Sequence, residues 1–149
     1  MKRSLKKATV LFLTLALLAA AIAVPAGAVM SRSSLYLSYY RAWLTPENGG
    51  IVDVTIDVQA VDDMDDVGAI SVKMMESSDG GDTWHSDGTY ASALYPELLV
   101  QNDYWYCDTP ISHAGTPGYK YYAIVKVYAG DSTGSDTKTY VTSTVTARY

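Results

Sequence analysis

The chain has 149 residues, a formal net charge of −5 and one cysteine, Cys107. That length suits a single domain with a sizeable core, and a lone cysteine excludes a disulfide framework within the chain. The acidic balance repels phosphate backbones and so argues against a nucleic-acid partner.

Lys2, Arg3, Lys6 and Lys7 open the chain, an apolar run follows from Ala8 to Val24, Pro25 breaks it, and Ala26-Gly27-Ala28 has small-x-small form. This order predicts a secretory signal peptide over residues 1–28, helical in its apolar stretch and cut after Ala28. The alternative is an uncleaved anchor, since the run is about as long as a short membrane span. Pro25, the small residues and the uncharged Val29-Met30 favour cleavage. No cysteine follows the run, so there is no lipobox, and no sorting-type tail closes the chain. The expectation is a secreted, extracellular protein with no membrane attachment after cleavage, whose residues 29–149 form one domain. Four of the eleven basic residues and none of the sixteen acidic ones lie in the leader, leaving seven against sixteen and a net charge of −9. Such a surface suits cations or basic surfaces as partners.

Beyond the leader the chain reads as strand and turn. Leu35–Leu44 is a predicted first strand with Leu35, Leu37, Tyr39 and Trp43 on one face. Asn48-Gly49-Gly50 is a turn, and Ile51–Val61 alternates Val52, Val54, Ile56, Val58 and Ala60 against Asp53, Thr55, Asp57 and Gln59. That is period two with one wet face, as antiparallel sheets show. The acidic run Asp62-Asp63-Met64-Asp65-Asp66 reads as a solvated turn, and Ala69–Glu76 as a strand with Ile70, Val72 and Met74 inward. Weaker strands are predicted over Trp84–Ala93 and Leu98–Tyr106, with room for a helical turn or two within Ala91–Val100. Tyr119–Ala129 and Thr137–Ala147 form a hairpin around the turn-rich Gly130–Asp136. Six to eight short strands predict an all-β chain, a single antiparallel β-sandwich. The only phenylalanine, Phe12, lies in the leader, and tyrosine replaces it almost everywhere else. Tyrosine suits sites where one end of the ring meets water or a hydrogen-bond partner. Cys107 is expected to be a buried, inert thiol, with an intermolecular bridge as the alternative.

The stretch GTPGYKYYAIVKVYAGD, with the Thr-rich strand after it, resembles the closing strands of fibronectin-III and immunoglobulin-like domains. In those folds a tyrosine at the start of the penultimate strand bonds back to the preceding loop, a role that falls here to Tyr121 or Tyr119. RSSLYLSYY, DDMDDVGAISVKMMESSDGG, GYKYYAIVKVYAGD and SDTKTYVTSTVTA further resemble a domain-of-unknown-function family of small secreted proteins from Gram-positive, Clostridia-type bacteria. The resemblance implies a secreted β-sandwich and carries no catalytic residues.

Ser77-Ser78-Asp79-Gly80-Gly81-Asp82-Thr83-Trp84 matches the Asp-box S-x-D-x-G-x-T-W that sialidases and other propellers repeat. A propeller needs several blades of about forty residues, more than this chain holds, so the box reads as a hairpin device. Asp62, Asp63, Asp65 and Asp66 are the candidate ligands for a calcium ion, a hard cation that favours carboxylates, although the spacing is not that of an EF-hand. His85 and His113 have no metal-type partners at ligand spacing, and no G-x-S-x-G elbow supports a catalytic serine. No catalytic residue and no cofactor besides possible calcium is expected.

The composition favours a secreted, non-catalytic binding or cell-surface interaction module for an extracellular glycan, cell wall or protein. Its candidate contact rings are Tyr36, Tyr40, Tyr104, Trp105, Tyr122 and Tyr128, since planar aromatics stack on sugar rings and anchor protein contacts. The competing readings are a small polysaccharide-active hydrolase, for which Glu47, Glu76 and Glu97 sit beside turns or strand ends, and an envelope-directed toxin-like factor.

Overall fold

A computed structural model describes residues 34–149; the leader expected over residues 1–28 lies outside them. The described residues form seven strands: β1 (Leu37–Pro46), β2 (Ile51–Ser77), β3 (His85–Ala91), β4 (Leu99–Ala114), β5 (Lys120–Asp131), β6 (Gly134–Val141) and β7 (Val145–Thr146). Two short 3-10 turns, Asn48–Gly50 and Pro96–Leu98, precede β2 and β4. Every ladder is antiparallel, so the all-β class read from the sequence is the class the chain adopts.

The two strands expected at Ile51–Val61 and Ala69–Glu76 are parts of one strand. β2 runs unbroken for 27 residues, where about 5–6 is usual. Its first half pairs with β1 on one edge and β4 on the other. Its second half pairs with β5 on one edge, and with the start of β4 and then β3 on the other. All seven strands therefore belong to one hydrogen-bonded sheet. The acidic run is a bend inside β2, not a turn between strands. Between Gln59 and Met64 the chain spends five steps while β4 spends two, from Trp105 to Asp103. That bulge throws Asp62, Asp63 and Asp65 into solvent and keeps Met64 in the core, and bulged strands bend at such points.

The bend lets the two halves of the sheet face one another across a single core, which gives a sandwich-like packing. Val52, Val54, Ile56 and Val58 from one half and Val72, Met74, Val125 and Val127 from the other are fully buried in it. Side chains join the two seams. On one, Tyr40 of β1 meets Tyr140 of β6 edge-to-face at 6.4 Å, and Asp136 accepts from the Ser34 hydroxyl and from the Tyr36 N–H at 3.1 Å. On the other, His113 of β4 bonds Asp87 and Tyr90 of β3.

Two further bulges move side chains off their predicted faces. In β1 the register shifts between Leu37 and Tyr39, where the Ser38 hydroxyl donates to the carbonyls of Gln59 and Ala60. Leu37, Ala42 and Leu44 are buried, whereas Tyr39 and Trp43 lie on the opposite face. In β2 a shift between Ala69 and Ser71 buries Ala69 with Val72 and Met74 and leaves Ile70 only half-buried. β4 continues eight residues past the predicted Tyr106 through Pro110, which an edge strand tolerates because no ladder needs its missing N–H. The hairpin is tighter than expected, since β5 and β6 pair up to Asp131 and Gly134. Asp131 closes the turn by accepting from the Thr133 and Gly134 N–H groups. Thr142 then interrupts the last strand, its hydroxyl accepting the Ala123 N–H at 2.9 Å in place of a ladder bond.

Tyr121 fills the place that the resemblance assigns to a loop-bonding tyrosine. It is wholly buried, its hydroxyl accepts the Thr116 N–H at 2.8 Å and donates to Glu76 at 3.2 Å. A side chain at Gly115 would lie under 3 Å from that ring, so this glycine is required for close approach. The Asp-box forms the hairpin between β2 and β3. Asp79 accepts the Ser77 hydroxyl at 2.6 Å and the Thr83 and Asp82 N–H groups at 2.9 and 3.1 Å, Gly80 and Gly81 adopt positive φ, and the Trp84 indole donates to the Gly81 carbonyl at 3.1 Å.

Removing the Tyr121 hydroxyl leaves the Thr116 N–H without its partner. Tyr121→Phe is expected to cost about 1–3 kcal/mol in urea unfolding, with an unchanged slope. The bonds from Ser77 and Thr83 hold the Asp79 carboxyl well below the usual carboxylate range. Its contribution to stability is therefore present above the unfolded-state value and lost as pH falls through the folded-state one. Thermal melts at about pH 7 and about pH 2 should show Asp79→Asn melting below the parent at the higher pH, with the gap narrowing at the lower.

Candidate functional site

The first half of the sheet presents an outer face built from alternate residues of β1, β2 and β4. Register sets it in rows. Tyr39 and Trp105 both pair with Gln59 from opposite sides, and Arg41 and Cys107 both pair with Asp57. Partners in such a row stand about 10 Å apart across the central strand, two interstrand spacings. Arg41 lies between two rings of its own strand, its guanidinium 5.9 Å from the Tyr39 centroid and 4.6 Å from that of Trp43. Guanidinium over an aromatic face is an attractive arrangement.

Asp57 ties these groups together. It points to the outer face yet is only 7% exposed, because Arg41 and Trp105 cover it. Arg41 Nε donates to Asp57 Oδ2 at 3.3 Å, and the Trp105 Nε1–H donates to Asp57 Oδ1 at 3.0 Å. Each carboxylate oxygen thus has its own donor. A buried charge needs such partners, since one left alone is costly. Trp105 remains 48% exposed, so it is a ring open to solvent and held by a bond to a buried anchor. Farther along the same face Thr55 bonds Thr109 at 2.8 Å and Ser112 donates to Asp53 at 2.7 Å.

The candidate rings read from the sequence do not gather into one surface. Trp105 and its neighbour Tyr104 are half-exposed on β4. Tyr36 and Tyr40 pack against the core; for Tyr40 this is the consequence of the bulge in β1, which gives Tyr39 the outward place. Tyr122 packs on Trp84 at 4.6 Å, and half-buried Tyr128 lies against Gly130; both belong to β5 in the other half of the sheet. Asp62, Asp63, Asp65 and Asp66 are spread along the bend, and Asp62 accepts the Asp63 N–H at 2.9 Å. Among the described residues no three His, Cys, Asp or Glu side chains converge as a metal site.

An open groove of about 380 Å³ adjoins this outer face, the platform of β1, β2 and β4, and is lined by Glu97, Leu99, Val100, Trp105, Tyr106, Cys107 and Asp108. Cys107 was expected to be buried, but it is exposed, because β4 extends past Tyr106 and its alternation turns position 107 outward. Partial burial and the nearby Asp57 charge, with a lesser push from Asp108, raise its thiol against the pull of Arg41, so it is a weaker nucleophile than a free thiol. Tyr106 points inward and its hydroxyl donates to the Glu97 carbonyl at 2.6 Å.

His113, given no role by its sequence neighbourhood, is buried at the seam between β3 and β4. Its Nε2 lies 2.8 Å from Asp87 Oδ2 and its Nδ1 2.8 Å from the Tyr90 hydroxyl. Burial pushes the Tyr90 phenol up, with help from Tyr95 and Asp87. This Tyr–His–Asp chain joins β3 to β4 at the seam.

Replacing Asp57 by Ala leaves the Arg41 and Trp105 donors to water. The variant should lose about 1–2 kcal/mol of stability, and the emission that Trp105→Phe removes should move to longer wavelength as the indole is released. An unmoved spectrum would show that Asp57 does not hold the ring. The chain matches no family model and no curated protein, so the reading of this face rests on its own geometry.

Proposed function

We propose that the chain is a secreted, non-catalytic binding module whose ligand surface is the outer face of β1, β2 and β4, and whose ligand is an extracellular or cell-wall glycan. The leader pattern of residues 1–28 supports the extracellular part of this reading. The observation that carries the rest is Trp105: half its surface is open while its indole N–H is fixed to a buried carboxylate. A ring held in place before binding loses little side-chain entropy when a ligand stacks on it. Gln59 in the same row, and Thr55 and Thr109 farther along the face, offer hydrogen bonds to hydroxyls. That mixture of apolar ring face and polar rows matches a sugar, whose C–H face stacks while its hydroxyls bond.

A hydrolase is the competing reading because Glu97 and Asp108 line one groove beside Trp105, and glycoside hydrolysis uses paired carboxylates. Release of reducing ends from a polysaccharide by the protein, lost in Glu97→Gln, would favour it.

A glycan array and a cell-wall pull-down test the binding reading. The protein should be retained by at least one glycan or wall fraction, and Trp105→Ala should weaken retention by about tenfold or more, as loss of a central aromatic anchor does. The Tyr122→Ala/Tyr128→Ala double variant should bind like the parent, because those rings lie in the other half of the sheet. Silence in both assays, or an unaffected Trp105→Ala, would contradict the reading.

A further inference from the structure

The groove beside β4 has a chemistry that the platform does not share. Leu99 and Val100 are half-buried along it, Tyr106 is 5% exposed within it, and half-exposed Trp105 lines it as well. Glu97 from the 3-10 turn and Asp108 from β4 bring two carboxylates to the same lining, which includes no lysine, arginine or histidine. The fields of those carboxylates overlap. After burial, the charges of Asp108 and Glu97 push the Tyr106 phenol up.

The polar atoms left for a ligand are chiefly acceptors. The Tyr106 hydroxyl is committed to the Glu97 carbonyl, and ionised carboxylates accept without donating. A ligand suited to this groove must bring N–H donors and positive charge, and it must cover aliphatic surface. Anions are repelled. A hard divalent cation wants six or more oxygen ligands, whereas no group of three acidic, histidine or cysteine side chains converges among the described residues. An organic cation meets all three demands, and the groove volume of about 380 Å³ lies in the range of small-molecule sites.

We propose that this groove binds an alkylammonium group, a protonated primary amine on an aliphatic stem, with the amine between Glu97 and Asp108 and the stem along Leu99 and Val100. The Trp105 ring adds cation–π attraction to the same head group. A primary amine fits better than a quaternary one because only the former has N–H bonds for the carboxylates. This site is distinct from the glycan platform, sharing Trp105 but none of Tyr39, Arg41 or Trp43.

The test compares n-hexylammonium, n-hexanol and acetyl-lysine-methylamide by NMR titration of the whole protein at low salt. Hexylammonium should shift the Leu99, Val100 and Trp105 signals, bind about tenfold or more tighter than hexanol, and weaken with added salt. Binding of the lysine derivative assigns the site to a lysine side chain of a partner protein; binding of hexylammonium alone assigns it to a free amine. Glu97→Gln/Asp108→Asn should reduce amine binding by at least about tenfold. Glu97→Gln alone keeps the backbone carbonyl that Tyr106 uses, and should give a smaller loss in a protein that melts like the parent. Equal binding of hexanol, absence of amine binding, or undiminished binding by a folded double variant would overturn the proposal. The Glu97→Gln/Asp108→Asn variant should bind glycan like the parent, which separates the two sites although Trp105 belongs to both.

Discussion

β2 is the constraint on which the other elements depend. A single strand that pairs with β1, β3, β4 and β5 cannot be lost from one half of the molecule and kept in the other. Two sheets packed only through side chains could slide or part; here the backbone of β2 crosses from one to the other. The crossing is made by bulges, which bend a strand and raise its twist. Around the bend between Gln59 and Met64, Asp62, Asp63 and Asp65 stand outside and Met64 inside, so the charge repulsion of the acidic run is relieved by solvent at the place where the chain must turn.

The same strand positions the candidate site. Asp57 lies where β2 is flanked on both edges, by Arg41 of β1 and Cys107 of β4. A carboxylate on an outer face would normally be solvated. Here the two neighbouring strands supply a guanidinium and an indole, one to each oxygen, and these same groups cover it. The ion pair alone would add little with Arg41 so exposed. Its role is to fix the geometry of Trp105, Arg41 and, through the guanidinium, the rings of Tyr39 and Trp43. The seams of the fold use the same device of polar side chains bridging the halves, Asp136 at one edge and Asp87–His113–Tyr90 at the other.

The class of fold was legible because alternation is strong in Val52–Ala60 and Tyr121–Ala129, where every second side chain is buried. The hairpin tyrosine and the Asp-box could be named residue by residue, since both are local devices whose partners lie within a few positions or one strand away. Bulges were not legible. An alternation rule carries on through Ser38 and Ile70, and one inserted residue reverses every face beyond it; this placed Tyr40 outward and Tyr39 inward. The length of β4 was hidden by Pro110 and Asp108, residues that mark a loop in isolation but are tolerated on an edge strand. Of the candidate site only Trp105 and Tyr104 were visible as exposed rings. Asp57 looked like one polar residue among the four on the wet face of its strand, and the bond that makes it an anchor depends on a partner 48 positions away.

The central claim is that Trp105 is held open to solvent by a buried anchor on the most constrained strand. Hydrogen exchange of its indole N–H, read with the backbone amides of β2 by NMR, tests this directly. The account predicts that the Trp105 indole proton is protected in spite of the exposed ring, and that amides in both halves of β2, such as Ile56 and Val72, open with the same free energy because they are lost together. A Trp105 indole proton exchanging as fast as that of a free tryptophan side chain would contradict it, as would two halves of β2 that open independently.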